Sequence, residues 1–142
     1  MPGILVGIDG SEHSRKALEW AVREAGLRGT SLTVLAVHQV AANHWTGDPE
    51  RYAQDRPETE VVRQAAEDAV QKAVGQVGAP APASVTVRAV TGVAAHELVA
   101  ASADADLTVV GSRGGGGFAR MVLGSVSSQV ASHAQSPVVV IR

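Results

Sequence analysis

The chain has 142 residues and a mass of 14.5 kDa, room for one domain of ordinary size. Hydrophobic residues make up 45% and charged residues 18%, which excludes a disordered chain, and the lack of cysteine excludes a disulfide scaffold, a thiolate nucleophile and any Cys-ligated metal. A net charge of −2 without a basic run sets nucleic acid aside as a main partner.

Ile4–Ile8 is a short apolar run that ends in Asp9-Gly10-Ser11, so it predicts a strand closing in a turn. From Ser11 the period becomes helical: Ala17, Leu18, Ala21, Val22 and Ala25 share one face, with Ser11 as N-cap and Gly29 as stop. Leu32–Val40 predicts a second strand. Residues 41–57 are polar, contain two prolines and show no clean period, the mark of a long functional or mobile connection. A helix follows with Val62, Ala66, Ala69, Ala73 and Val77 as its buried stripe, broken at 78–83. Val85–Val90 alternates like a strand, and His96–Ala103 is short, Ala-rich and helical. Leu107–Val110 is an unbroken apolar strand, expected to be covered on both faces. Ser125–Ala134 is helical, and Pro137–Ile141 is a final strand. Strands and helices alternate, which is βαβ logic: an α/β fold with a mostly parallel sheet and helices on both faces.

The segment Gly111–Ser127 carries the most chemistry. It follows a buried strand and runs into a helix N-terminus. Gly111 and Gly114 let backbone N–H groups approach an anion, the helix start near Gly124-Ser125 offers unpaired N–H groups and partial positive charge, and Ser125 and Ser127 add hydroxyls. That combination suits phosphate. The alternative is a plain connector at Gly114–Gly117. Three familiar patterns fail: a P-loop would need lysine where Gly117 stands, a dinucleotide fingerprint at 114–119 follows the fourth strand and lacks its acidic partner, and Gly-x-Ser-x-Gly is absent.

A fourth pattern holds. Gly-x2-Gly-x9-Gly-Ser/Thr is met by Gly111, Gly114, Gly124 and Ser125, alongside Val-Gly-Ile-Asp-Gly-Ser at 6–11 and a closing Ser-Pro-Val-Val-Val. With these three motifs in order, the chain resembles the universal stress protein family in its single-domain, ATP-binding form. The resemblance covers 1–142, with 41–57 as the family's variable region. It implies a Rossmann-like, adenine nucleotide alpha hydrolase-like domain: five parallel strands in order 3-2-1-4-5 with four helices, usually dimeric through the last strand. It places ATP's adenine and ribose near Asp9 and the backbone of Val37. Its phosphates fall to Gly111, Ser112, Arg113, Gly114, Gly124, Ser125, Val126 and Ser127. In that strand order the topological switch lies between the first and fourth strands, where ligands bind at the carboxyl ends. Asp9 and Gly111 end those two strands.

Other residues keep two readings. Asp9 either caps a turn or contacts sugar, base or a hydrated Mg²⁺, and Arg113 is either a loop cation or a phosphate partner. The role of Arg120 is open. Histidines 13, 38, 44, 96 and 133 lack metal-site spacing, and Asp9, Ser11 and His13 are too local for a hydrolase relay. Trp45 and Tyr52 either cover the core edge or form a lid or partner surface. Val138–Ile141 is an apolar edge strand that invites two-fold pairing, hence an expected homodimer. No export signal or membrane-spanning run is present in the sequence, so a cytoplasmic protein without a membrane partner is expected. The expected function is ATP binding in stress regulation without strong catalysis. The alternatives are a slow metal-dependent ATP hydrolase, a cyclic-AMP or AMP binder, and a nucleotide-independent interaction module.

Overall fold

The computed structural model describes residues 3–39, 56–112 and 125–142. Nine elements alternate along them: β1 (Gly3–Ile8), α1 (Glu12–Arg28), β2 (Ser31–Gln39), α2 (Arg56–Val77), β3 (Ser84–Gly92), α3 (Ala94–Ser102), β4 (Ala105–Gly111), α4 (Ser125–His133) and β5 (Val138–Ile141). The strands form one five-stranded sheet in the order β3-β2-β1-β4-β5. All four pairings are parallel, as the βαβ alternation requires. The expected fold class and strand order are those observed.

Side chains on successive strand positions point to opposite faces, and the two cores divide by that parity. Ile4, Val6, Leu32, Val34, Leu107 and Val109 meet the buried stripe of α1 together with Val70 and Ala73 of α2. Leu5, Leu35 and Val110 meet Leu98 of α3 and Val130 of α4 on the other face. Gly7 lets α3 sit down on that face, because a Cβ there would stand 2.7 Å from a Leu98 methyl. β4 is buried from Leu107 through Val110, as a central strand covered on both faces must be. β3 at one edge instead alternates between exposed and half-buried residues.

α1 begins and ends as the sequence indicates. The Ser11 hydroxyl accepts from the Ser14 N–H at 3.2 Å, and Gly29 closes the helix in the left-handed region at φ 64°. The second helix corrects the reading in two ways. It starts at Arg56, so residues 56 and 57 belong to α2 rather than to the connection; proline is tolerated in a first turn because its missing N–H would be unpaired there. Its buried residues are Ala66, Val70 and Ala73, while Val62, Ala69 and Val77 are only half-buried. The stripe tilts because α2 packs across both α1 and β3. Trp45, Tyr52 and the rest of 40–55 lie outside the described residues.

The exposed faces of α1 and α2 carry the same device, Glu12-Arg15-Glu19 and Glu60-Arg63-Glu67, each arginine bridging acids one turn before and after it. Hydrogen bonds from Arg15 and Arg63 hold the Glu12 and Glu60 carboxyls below the usual range. Their contribution is therefore present above the ordinary carboxylate range and fades as pH falls through the lowered values. Their exposure to solvent keeps it small.

Candidate functional site

β1 has β2 on one side and β4 on the other, and the helices that follow β1 and β4 leave on opposite faces of the sheet. This is the topological switch, and the carboxyl ends of β1 and β4 form its crevice. Three contacts there bring sequence-distant residues together.

The Asp9-Gly10-Ser11 turn closes on itself. Asp9 Oδ1 accepts from the Ser11 N–H at 2.9 Å, and Gly10 takes φ 84°, a conformation that glycine adopts without strain. The capping reading of Asp9 is thus met, while its side chain stays exposed at the sheet's edge. Behind the turn, Ser14 is 4% exposed; its hydroxyl accepts from the Asp9 N–H at 3.2 Å and donates to the Ser11 carbonyl at 3.0 Å. Ser14 fixes the turn and is a residue that sequence reasoning missed. The signal was present, since Ser14 stands on the same helical stripe as Ala17, Leu18 and Ala21, a hydroxyl at an apolar position. Ser14→Ala removes a part-buried hydrogen bond from the Asp9 N–H and should cost about 0.5–1.5 kcal/mol, read as a lower urea midpoint.

Gly111 lies against the first turn of α1, which follows directly. A Cβ at Gly111 would stand 2.9 Å from both the carbonyl carbon and oxygen of His13. The glycine therefore lets β4 end directly beneath the first turn of α1, a packing role that the spacing pattern does not reveal. Ser112 is 6% exposed; its N–H donates to the Ile141 carbonyl at 2.7 Å, and its own carbonyl accepts from the Ser127 hydroxyl at 3.3 Å. The start of α4 is thus tied to the end of β4, and β5 is tied to both. Ser127 is buried and its hydroxyl fastens the backbone. Ser125 is exposed and Val126 half-buried at the same helix start.

The first turn of α4 holds no acidic residue, whereas α1 opens with Glu12. Of the helices that follow β1 and β4, α4 is the one whose positive end meets no acidic side chain in its first turn. Val37 lies on the other side of β1. Ile8 is paired with Ala36, so Asp9 and Val37 are the next positions along neighbouring strands, and Val37 packs half-buried with Val90. Asp9, Val37, Gly111, Ser112, Ser125, Val126 and Ser127 therefore share the carboxyl edge. Arg113, Gly114, Arg120 and Gly124 lie outside the described residues. Among the described residues, no group of three or more His, Asp or Glu side chains is placed to hold a metal ion.

The sequence profile of the universal stress protein family matches residues 2–142. The chain belongs to that family. A universal stress protein of Mycobacterium tuberculosis is 39% identical over an alignment covering 99% of this chain and 48% of its own length. The chain spans about half the length of the curated relatives it matches. Among solved structures, the universal stress protein UspA of Lactobacillus plantarum is 26% identical with a TM-score of 0.80, covering 99% of this chain and 97% of that one. A universal stress protein solved in complex with cAMP is also 26% identical, with a TM-score of 0.64 and coverage of 99% and 96%. In this universal stress protein no helix among the described residues is long and apolar enough to cross a membrane.

Proposed function

We propose that this universal stress protein binds an adenine nucleotide, ATP in the first instance, at the carboxyl edge between β1 and β4, and acts as a nucleotide-responsive regulator rather than as a strong catalyst. The observation that carries this reading is the meeting of the first turn of α1, directly after Asp9, with the end of β4 and with the start of α4, whose first turn holds no acidic residue. The related structure holding cAMP supports an adenine ligand.

In this reading Asp9 and the backbone of Val37 take the sugar and base. The phosphates lie over Gly111, Ser112, Arg113, Gly114, Gly124, Ser125, Val126 and Ser127. The N–H groups of a helix's first turn have no partner within the helix, so those of Ser125, Val126 and Ser127 suit phosphate oxygens. The buried Ser127 hydroxyl serves as a fastening, and Ser125 is the hydroxyl open to a ligand. Mg²⁺ would enter with the phosphates, since the described side chains alone offer no cage for it.

The test is to denature purified protein, chromatograph the supernatant for released nucleotide, and titrate fresh protein with ATP, AMP and cAMP with and without Mg²⁺. Co-purified nucleotide or saturable binding supports the reading; neither would overturn it and leave an interaction module. Ser125→Glu makes the sharper variant. A carboxylate at a helix start favours the helix but opposes a phosphate, so affinity should fall about tenfold or more while the urea midpoint holds or rises.

The second copy proposed as partner docks at β5. Val138–Ile141 is half-buried and pairs only with β4 among the described residues, leaving one edge of the strand open. Sedimentation equilibrium should report twice the chain mass, and a monomer throughout the concentration range would remove the dimer.

A further inference from the structure

We propose that the groove between α1 and α2 is a second binding site, for a small carboxylate with an apolar tail. The groove holds about 220 Å³, and its floor is Ile8, Leu18, Ala69 and Ala73. It exists because α2 presents two alanines one turn apart where larger side chains would close the space against Leu18. An apolar tail fits that floor.

The mouth is cationic. Arg15 lies there, but Glu12 and Glu19 engage it, and Glu19 is the acid that lines the groove. Lys72 also lines it, is exposed, and forms no ion pair among the described residues. Gly10 and Ser11 complete the mouth, where Glu12 already offsets the positive end of α1. One uncommitted ammonium above an apolar floor matches one anionic head on an apolar tail. A bare phosphate would leave the floor uncovered. The Ser14 hydroxyl already donates to the Ser11 carbonyl, so it is not open to a nucleotide's phosphates. The site stands independently of the nucleotide reading, although Gly10 and Ser11 belong to the turn that carries Asp9.

The probe is octanoate, titrated into the whole chain without nucleotide and followed by ¹H–¹⁵N NMR. Saturable shifts are expected at Gly10, Ser11, Leu18, Ala69 and Ala73. Octan-1-ol should bind about tenfold more weakly, the worth of one charge-assisted hydrogen bond. Lys72→Gln should weaken octanoate about tenfold, with octanol binding and the urea midpoint unchanged. Ala69→Leu fills the groove and should abolish both. Unsaturable shifts, equal binding of octanol and octanoate, or undiminished octanoate binding by Lys72→Gln would overturn the proposal. If Ala69→Leu fails to fold, the exposed Lys72 variant still decides. A separate ATP titration reports on the switch-point site, so failure at one site leaves the other result standing.

Discussion

Gly26→Ala is expected to destabilise the protein by about 2 kcal/mol, even though the substitution improves the helix propensity of α1. Alanine is favoured over glycine by up to about 1 kcal/mol in a helix interior. Against that gain, a Cβ at Gly26 would stand 2.9 Å from the Pro80 carbonyl carbon and nearer still to its oxygen. The obstacle is backbone and cannot rotate away. The 80–83 segment is also fastened to the end of α1 by the bond from the Ala83 N–H to the Thr30 carbonyl at 2.9 Å. Overpacking of this kind costs about 1–3 kcal/mol and sometimes more, so the steric term wins. Thermal unfolding should show Tm lowered by roughly 4–8 °C. Gly75 in α2 is the matched control, because a Cβ there meets nothing within 4 Å. Gly75→Ala should raise stability by up to about 1 kcal/mol, and equal shifts for both variants would refute the steric account.

Gly111→Ala is expected to cost about 1–3 kcal/mol whether or not a nucleotide is present. The new methyl would press on the His13 backbone at 2.9 Å, and relief requires the first turn of α1 to move away from β4. Urea unfolding without nucleotide should show the fall directly. An unchanged midpoint combined with lost nucleotide binding would mean that the glycine serves the ligand alone. Loss of affinity in a Gly111 variant therefore reports on both packing and binding. Ser125→Glu separates them, since Ser125 is exposed and its replacement is compatible with the helix start.

The cap at Ser11 and the stop at Gly29 were legible because each depends on residues within one helical turn. The burial of β4 was legible because an unbroken apolar run has few other places to go. The Asp9 and Gly111 motifs were legible as candidates, and the βαβ order put them at one edge before any coordinate did. Val37 was named through family resemblance, since a valine among valines carries no mark of its own. The start of α2 was misplaced because Pro57 reads as a breaker unless its position in the first turn is known.

Local periodicity and turn chemistry thus determined the α/β class and the succession of strands and helices, while the resemblance of three motifs pointed to the family. The tertiary structure alone decided that Gly111 bears on His13, that Ser14 holds the Asp9 turn, that Gly26 makes room for Pro80, and that Ala69 and Ala73 leave a hollow beside Leu18. Each of these depends on how closely two elements approach after crossing the sheet. That distance is set by the summed packing of both faces, and no single stretch of sequence encodes it.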